Sequence, residues 1–244
     1  MKIGCFDVTY LSHVCFRFRT PAGRVLVTDP FFGAGFTWQG HEEKYLTPPD
    51  MPASAIKRCD VIFISHIHGD HCDADAVRTI HAQTGAKVLS APEILEDLQS
   101  RGLPADALVE AREGAFTLFG DLRLRTYAGY DNSFDDKGRA NKFALIIESE
   151  STRLFYSGDC HQLPPAVVGQ AVDASFCWPH PNDAKLTALA DGLKTDTFVL
   201  MHGDRFTPGE FFCNFDLADQ AKRMNALRPR LNIVVPARAA AIAD

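Results

Sequence analysis

The chain has 244 residues, of which 46% are hydrophobic and 23% charged, with a net charge of −6. That length and balance supply a core of ordinary size without disulfides and suit one large α/β domain over residues 1–244. The acidic charge, with no lysine- or arginine-rich run, argues against nucleic acid or anionic lipid held by bulk attraction and leaves room for a local basic pocket.

The first third reads as β-rich. Segments 3–9, 14–19 and 24–28 are short and rich in Val, Phe, Leu and Ile, and Pro21-Ala22-Gly23 punctuates the last two. Residues 30–55 combine Gly and Pro with Phe31, Phe32, Phe36, Trp38 and Tyr45. They read as a long ordered loop, whose aromatics serve either as a substrate lid or as anchors for the loop itself. Val61-Ile62-Phe63-Ile64 is wholly apolar, as a strand buried on both faces requires. Asp73 is a good N-cap for a helix to about Gln83, Lys87–Ser90 reads as a strand, and Pro92 opens a helix to about Arg101. Strands follow at 115–119, 122–127, 142–149, 152–157, 173–177, 197–201 and 232–235, with helices at 182–193 and 209–226. Strands grouped early, then helix–strand alternation, then the same again, suggest two similar halves without any residue-level repeat.

Seven cysteines (Cys5, Cys15, Cys59, Cys72, Cys160, Cys177 and Cys213) are scattered and never spaced as C-x-x-C. This argues against a disulfide framework and a structural zinc knuckle. The N-terminus lacks the charged start and apolar stretch of a signal peptide, and no run of about eighteen apolar residues predicts a membrane span. The expected compartment is the reducing cytoplasm, and neither a nucleic-acid partner nor a membrane span is expected.

The chemistry concentrates in His66-Ile67-His68-Gly69-Asp70-His71, directly after the apolar strand. On a helix His66 and His68 would lie about 200° apart and could not share an ion. At the end of an extended strand, residues two apart point the same way, so both can ligate one metal while the chain turns at Gly69. Imidazole and carboxylate suit zinc, iron and manganese alike.

H-x-H-x-D-H is where this chain resembles the metallo-β-lactamase superfamily. Arg24–Pro30 is similar to the family's early strand ending in an aspartate, here Asp29, which orients the metal loop. Phe155-Tyr156-Ser157-Gly158-Asp159 resembles the later strand whose aspartate bridges two metals, and Phe198–His202 resembles the last strand, whose histidine binds the second ion. Val8-Thr9-Tyr10-Leu11-Ser12-His13 is similar to the opening of the branch containing L-ascorbate-6-phosphate lactonase and N-acyl-phosphatidylethanolamine phospholipase D, with Tyr and Ser where that branch has Trp and Gly. His13 is placed near the site without being a ligand, or is a plain β-edge histidine.

The resemblance implies a four-layer αββα sandwich of two mixed sheets with helices outside. It also implies a metal-dependent hydrolase holding two divalent ions, zinc foremost, with manganese or iron as alternatives. His66, His68 and Asp131 would hold the first ion, and Asp70, His71 and His202 the second, with Asp159 between them. The family's third histidine is missing from Tyr127–Ser133, and Asp131 either replaces it or is a turn residue beside Asn132. Bound water would have its pKa lowered towards about 7 and attack a lactone, amide or phosphodiester, while Asp70 takes up a proton during turnover. The partner is a small molecule, phosphorylated if Arg139, Lys142, Lys185 or Arg205 lies in reach. His161 and His180 either act on substrate, supply the missing ligand or are ordinary loop histidines. Cys72 and Cys160 read as buried, inert thiols. Two alternatives stay open: iron-dependent oxidoreduction on the same fold, and a metal-binding protein that has lost catalysis.

Overall fold

The computed structural model describes residues 1–242 except 39, 130–133, 135, 136, 161, 204, 205 and 207–215. Asp131, His161 and Arg205 therefore lie outside the described residues. In chain order the strands are β1 (Lys2–Ile3), β2 (Phe6–Ser12), β3 (Cys15–Arg19), β4 (Val25–Thr28), β5 (Gly35–Trp38), β6 (His41–Lys44), β7 (Val61–Phe63), β8 (Lys87–Ser90) and β9 (Leu108–Glu110). They continue with β10 (Phe116–Phe119), β11 (Leu122–Ala128), β12 (Phe143–Ser149), β13 (Thr152–Tyr156), β14 (Ala174–Cys177), β15 (Thr197–Leu200) and β16 (Asn232–Val234). The helices are α1 (Ala74–Thr84), α2 (Pro92–Ser100), α3 (Asp183–Gly192) and α4 (Leu217–Leu227).

Two seven-stranded mixed sheets result, β1-β2-β3-β4-β7-β8-β9 and β10-β11-β12-β13-β14-β15-β16. In each, three antiparallel pairings are followed by three parallel ones. The two halves suggested by the sequence are thus alike in pairing order. Antiparallel neighbours need only hairpins, whereas parallel ones need crossovers, and the helices supply most of these in the second part of each sheet.

Strand alternation builds the layers. Along β15 and just after it, Val199 and Met201 join the central core with Phe16, Phe18, Leu26, Ile62, Leu145 and Phe176. Phe198 and Leu200 face the other way, onto Leu186 and Leu189 of α3 and Met224 of α4. Val77 and Ile80 of α1 and Ile94 and Leu98 of α2 pack against the first sheet. Phe176 meets Phe16 and Phe18 edge-on at 5.0 Å each, which stitches the two sheets. Each such buried ring contributes about 1.5–3 kcal/mol. The molecule is therefore an α/β sandwich with two large sheets inside and helices outside.

The helix starts follow local chemistry. Asp73 Oδ1 accepts from the Asp75 and Ala76 amides at the head of α1, and Asn182 Oδ1 accepts from Lys185 N at the head of α3. For α4 the cap is Asp216, which accepts from Ala218 N and Asp219 N, so this helix begins at Leu217, and positions 209–215 of the expected helix lie outside the described residues. Residues 30–55 are also not all loop. β5 and β6 form a separate two-stranded hairpin, held by Phe36 and Tyr45 against Phe31 and Phe206.

Candidate metal centre

β4, β7, β13 and β15 end at one edge of the sandwich, and the polar residues that follow them converge there. Asp29 closes β4, Ser65 and His66 follow β7, Asp159 follows β13, and His202 follows β15. Residues 66–71 lead from β7 towards α1, with His71 N and Cys72 N both donating to His68 O. A Cβ on Gly69 would lie 2.6 Å from Phe36 Cβ, so only glycine lets the β5–β6 hairpin close against this loop. Gly158 is constrained twice, by a φ of +51° and by Ser65 Cβ at 2.7 Å from a built Cβ.

Six side chains form the cluster, all almost completely buried: His13, His66, Asp70, His71, Asp159 and His202. Their potential ligand atoms fall into two groups, each mutually within 4.8 Å: His66, His71 and Asp159, and His13, Asp70 and His202. Asp70 Oδ2 lies 3.2 Å from His13 Nε2 and 3.3 Å from His202 Nε2. Asp159 faces both groups, with Oδ1 3.1 Å from His71 Nε2 and 3.2 Å from His202 Nε2, and Oδ2 3.5 Å from His66 Nε2. His71 Nε2 also sits 3.2 Å from His202 Nε2. His68 belongs to neither group. It is partly exposed, with its ring 4.3 Å from that of His66.

Asp29 fixes the cluster from behind. Its Oδ1 accepts from Ser65 N at 2.6 Å, and its Oδ2 accepts from Ser65 Oγ at 2.7 Å, Tyr156 Oη at 2.6 Å and His71 Nδ1 at 2.7 Å. The His71 tautomer is thereby set with Nε2 turned to the site. Among the described residues four non-glycines have positive φ, and three of them are His13 (39°), Asp29 (35°) and His202 (69°). Strain of this kind persists where surrounding contacts over-determine the backbone, and it gathers at functional sites.

The charges are coupled. Burial pushes His71 down, but the carboxylates of Asp159, Asp70 and Asp29 outweigh it and raise its pKa to about 10. Burial pushes Asp70 and Asp159 up, yet His71 above all, with His202, holds both well below the ordinary carboxylate range. His66 is lowered by burial and then by His71, and His68 falls to about 3 through burial and the neighbouring His66. Burial and then the Asp29 charge raise the Tyr156 phenol, which keeps its proton to donate.

Asp70 Oδ1 is buried without a hydrogen-bond partner, and His66 Nε2 is buried without a hydrogen bond of good geometry. Leaving such atoms bare is costly, and these point into a cluster of imidazoles and carboxylates. The donor set suits a divalent transition metal.

Other residues marked by the sequence stand apart. Arg139 pairs with Glu96 at 2.6 Å, and Lys185 lines a cavity with Leu163, Val168 and Leu189. The charge of Lys142 is felt by His66. His180 Nδ1 accepts from Asn182 N at 2.9 Å, as a turn histidine does. Ser65 and Tyr156 were not signalled by the sequence, because each lies in or beside an apolar strand that reads as core.

A buried His/Asp cluster at matched strand ends of two mixed sheets defines a metal-binding sandwich of the metallo-β-lactamase kind. The family model of the beta-lactamase superfamily domain matches residues 7–171. A UPF0173 metal-dependent hydrolase of Anaeromyxobacter dehalogenans strain 2CP-C is 32% identical over 226 residues, covering 83% of this chain and 76% of that one. A putative metal-dependent hydrolase from Parabacteroides distasonis superimposes with a TM-score of 0.67 at 14% identity, over 96% of this chain and 94% of that one. CmlA, a diiron beta-hydroxylase from Streptomyces venezuelae, does so at 0.62 and 15%, over 95% of this chain and 53% of its own. The chain belongs to the beta-lactamase superfamily, and within it to the UPF0173 metal-dependent hydrolases.

Proposed function

We propose that the chain hydrolyses a small lactone, amide or phosphodiester at a dinuclear centre, with zinc as the first candidate metal and manganese or iron as alternatives. The observation that carries this reading is the pair of unsatisfied buried atoms, His66 Nε2 and Asp70 Oδ1, inside one cluster of imidazoles and carboxylates. His66, His71 and Asp159 would hold one ion, with His68 and Asp131 completing it. Asp70 and His202 would hold the other with His13, and Asp159 would reach towards both. This departs from the motif-based division in two ways, by moving His71 towards His66 and by drawing in His13.

When bound, the ions supply Lewis acidity that activates water and polarises the scissile carbonyl or phosphoryl oxygen. The chain's own groups do the rest. Asp29 and Ser65 hold His71 in one orientation, and Asp70 takes up the proton released during turnover. Lys142 offers positive charge for a phosphorylated substrate.

His13 follows Leu11-Ser12 where the lactonase and phospholipase D branch has Leu-Gly before its histidine, and on that resemblance phosphate-bearing lactones and diesters are the first substrates to try. Residues 1–244 are read as one domain. A cytoplasmic setting fits the scattered cysteines, of which the six described are free thiols. No helix among the described residues is long and apolar enough to cross a membrane.

The test is chelation followed by readdition of zinc, manganese or iron, read on a lactone, amide and phosphodiester panel. Activity lost and restored with metal supports hydrolysis. A protein that binds no transition metal tightly overturns it, and an iron-loaded sample that consumes oxygen replaces it with oxidoreduction.

A further inference from the structure

The fully buried Tyr156 ends β13 three residues before Asp159, and its hydroxyl reaches two acceptors on the opposite sheet's side. One is Asp29 Oδ2 at 2.6 Å, and the other is the carbonyl of Val14 at 2.9 Å. Val14 follows His13 in the turn between β2 and β3. We infer that Tyr156 is a positioning residue for the metal centre, locking the carboxylate that aims His71 to the turn that carries His13. The inference rests on the reading of the His/Asp cluster as a metal centre.

Both acceptors are held in strained backbone or next to it. Asp29 has a φ of 35° and His13 a φ of 39°, so neither position is set by local preference. Asp29 Oδ2 receives Tyr156, Ser65 and His71 together, at 2.6, 2.7 and 2.7 Å. Three donors on one oxygen leave the carboxylate no rotation that keeps all of them. The turn is gripped similarly, since His13 O accepts from Tyr10 Oη at 3.2 Å and from His202 N at 2.8 Å. Of these contacts only the Tyr156 hydroxyl spans both parts. Its ring is fixed in turn by Phe63, edge-on at 6.2 Å.

Without that hydroxyl, Asp29 can swing towards Ser65, His71 follows its Nδ1 partner, and the Val14 carbonyl keeps only the longer contact from Thr28 Oγ1 at 3.3 Å, which loosens the turn on the His13 side. Both proposed ion sites then lose geometry while every proposed ligand remains. Residues that orient metal ligands from behind typically contribute 10–100-fold in affinity.

The experiment compares zinc affinity, by competition with a chromophoric chelator, in wild type, Tyr156→Phe, Asp29→Asn and the double variant. Cobalt(II) visible spectra are recorded in parallel. Tyr156→Phe should bind zinc about tenfold more weakly and change the cobalt spectrum, yet alter affinity less than about twofold in the Asp29→Asn background. Unchanged affinity and spectrum, even with a lower melting temperature, would show a merely structural tyrosine and overturn the proposal. Equal losses in both backgrounds would overturn it too. If wild type itself binds no metal, the metal-centre reading fails first and is seen to do so.

Wild type labelled at tyrosine ¹³Cζ, with Tyr156 assigned by Tyr→Phe replacement at the other four of its five tyrosines, gives a measurement independent of whether Tyr156→Phe folds. Zinc should shift the Tyr156 signal, and a signal that does not move overturns the proposal.

Discussion

His71 makes a different contact through each ring nitrogen, so its two sides fail differently. Nδ1 donates to Asp29 at 2.7 Å, and Nε2 faces Asp159 at 3.1 Å. Asp159→Ala removes a proposed ligand facing both groups and should abolish most metal-dependent hydrolysis while the chain stays folded; full activity would remove Asp159 from the mechanism. His13 and His68 offer a sharper contrast. His13 Nε2 sits 3.2 Å from Asp70, whereas His68 joins neither compact group. His13→Ala should therefore weaken one of two bound ions at least about tenfold, a loss that metal counting by plasma emission can read. Two ions retained at wild-type affinity would return His13 to the role of a neighbour. The motif 66–71 was legible because three histidines and an aspartate in six residues have little other use. The part of His13 was not, since only the fold brings the β2–β3 turn to Asp70.

At the scale of elements, the hairpin β5–β6 shows what a linear pattern hides. His41–Lys44 is charged, and Phe36, Thr37 and Trp38 of the first strand sit in a stretch rich in Gly and Pro, so the segment reads as loop. Its order comes from outside, through Phe36 at 5.0 Å from Phe206 and 5.8 Å from Phe31. β9 escaped similarly, because three residues are too short to show a period. α1 and α2 were legible because Asp73 and Pro92 are start signals that act locally. The hairpin's contact with the metal loop is testable at Gly69. Gly69→Ala places a methyl 2.6 Å from Phe36 Cβ, an atom close to backbone that cannot rotate away. Overpacking of this kind costs about 1–3 kcal/mol. The variant should melt lower and bind zinc more weakly, both read in one thermal titration. Unchanged melting and affinity would mean that the hairpin does not bear on the loop.

Across the whole molecule, two sheets with the same pairing order bring their strand ends to one edge and gather Asp29, Asp70 and Asp159 with four buried imidazoles. The family resemblance carried by H-x-H-x-D-H made the sandwich legible, and the order of strands and helices its two halves, but the charge balance at that edge is a property of the assembled structure. Without metal, His71 must supply the missing positive charge, and its pKa rises from 6.5 to about 10 even though burial opposes it. A folded-state pKa raised in this way gives stability that is full below about pH 6.5 and is lost as pH climbs through about 10. Asp70 and Asp159 work in the opposite window, since their depressed values give stability above about pH 3.8 that is lost on acidification. His66 and His68, both lowered, are neutral in folded and unfolded chains well above pH 6.5 and contribute no slope there. Above that pH, His71 alone among these groups tilts the curve, and the metal-free protein should soften steadily towards pH 9.5. A divalent ion held by His71 would take over the charge and displace the His71 proton. At a free concentration of 1,000 times Kd it also adds about 4.1 kcal/mol. The buried thiols, raised by burial, lower both curves towards pH 9.5, so melting temperatures measured from pH 6.5 to 9.5 should fall more steeply for chelated than for zinc-loaded protein and the gap should widen with pH. Parallel curves would show that His71 carries no proton for the metal to displace.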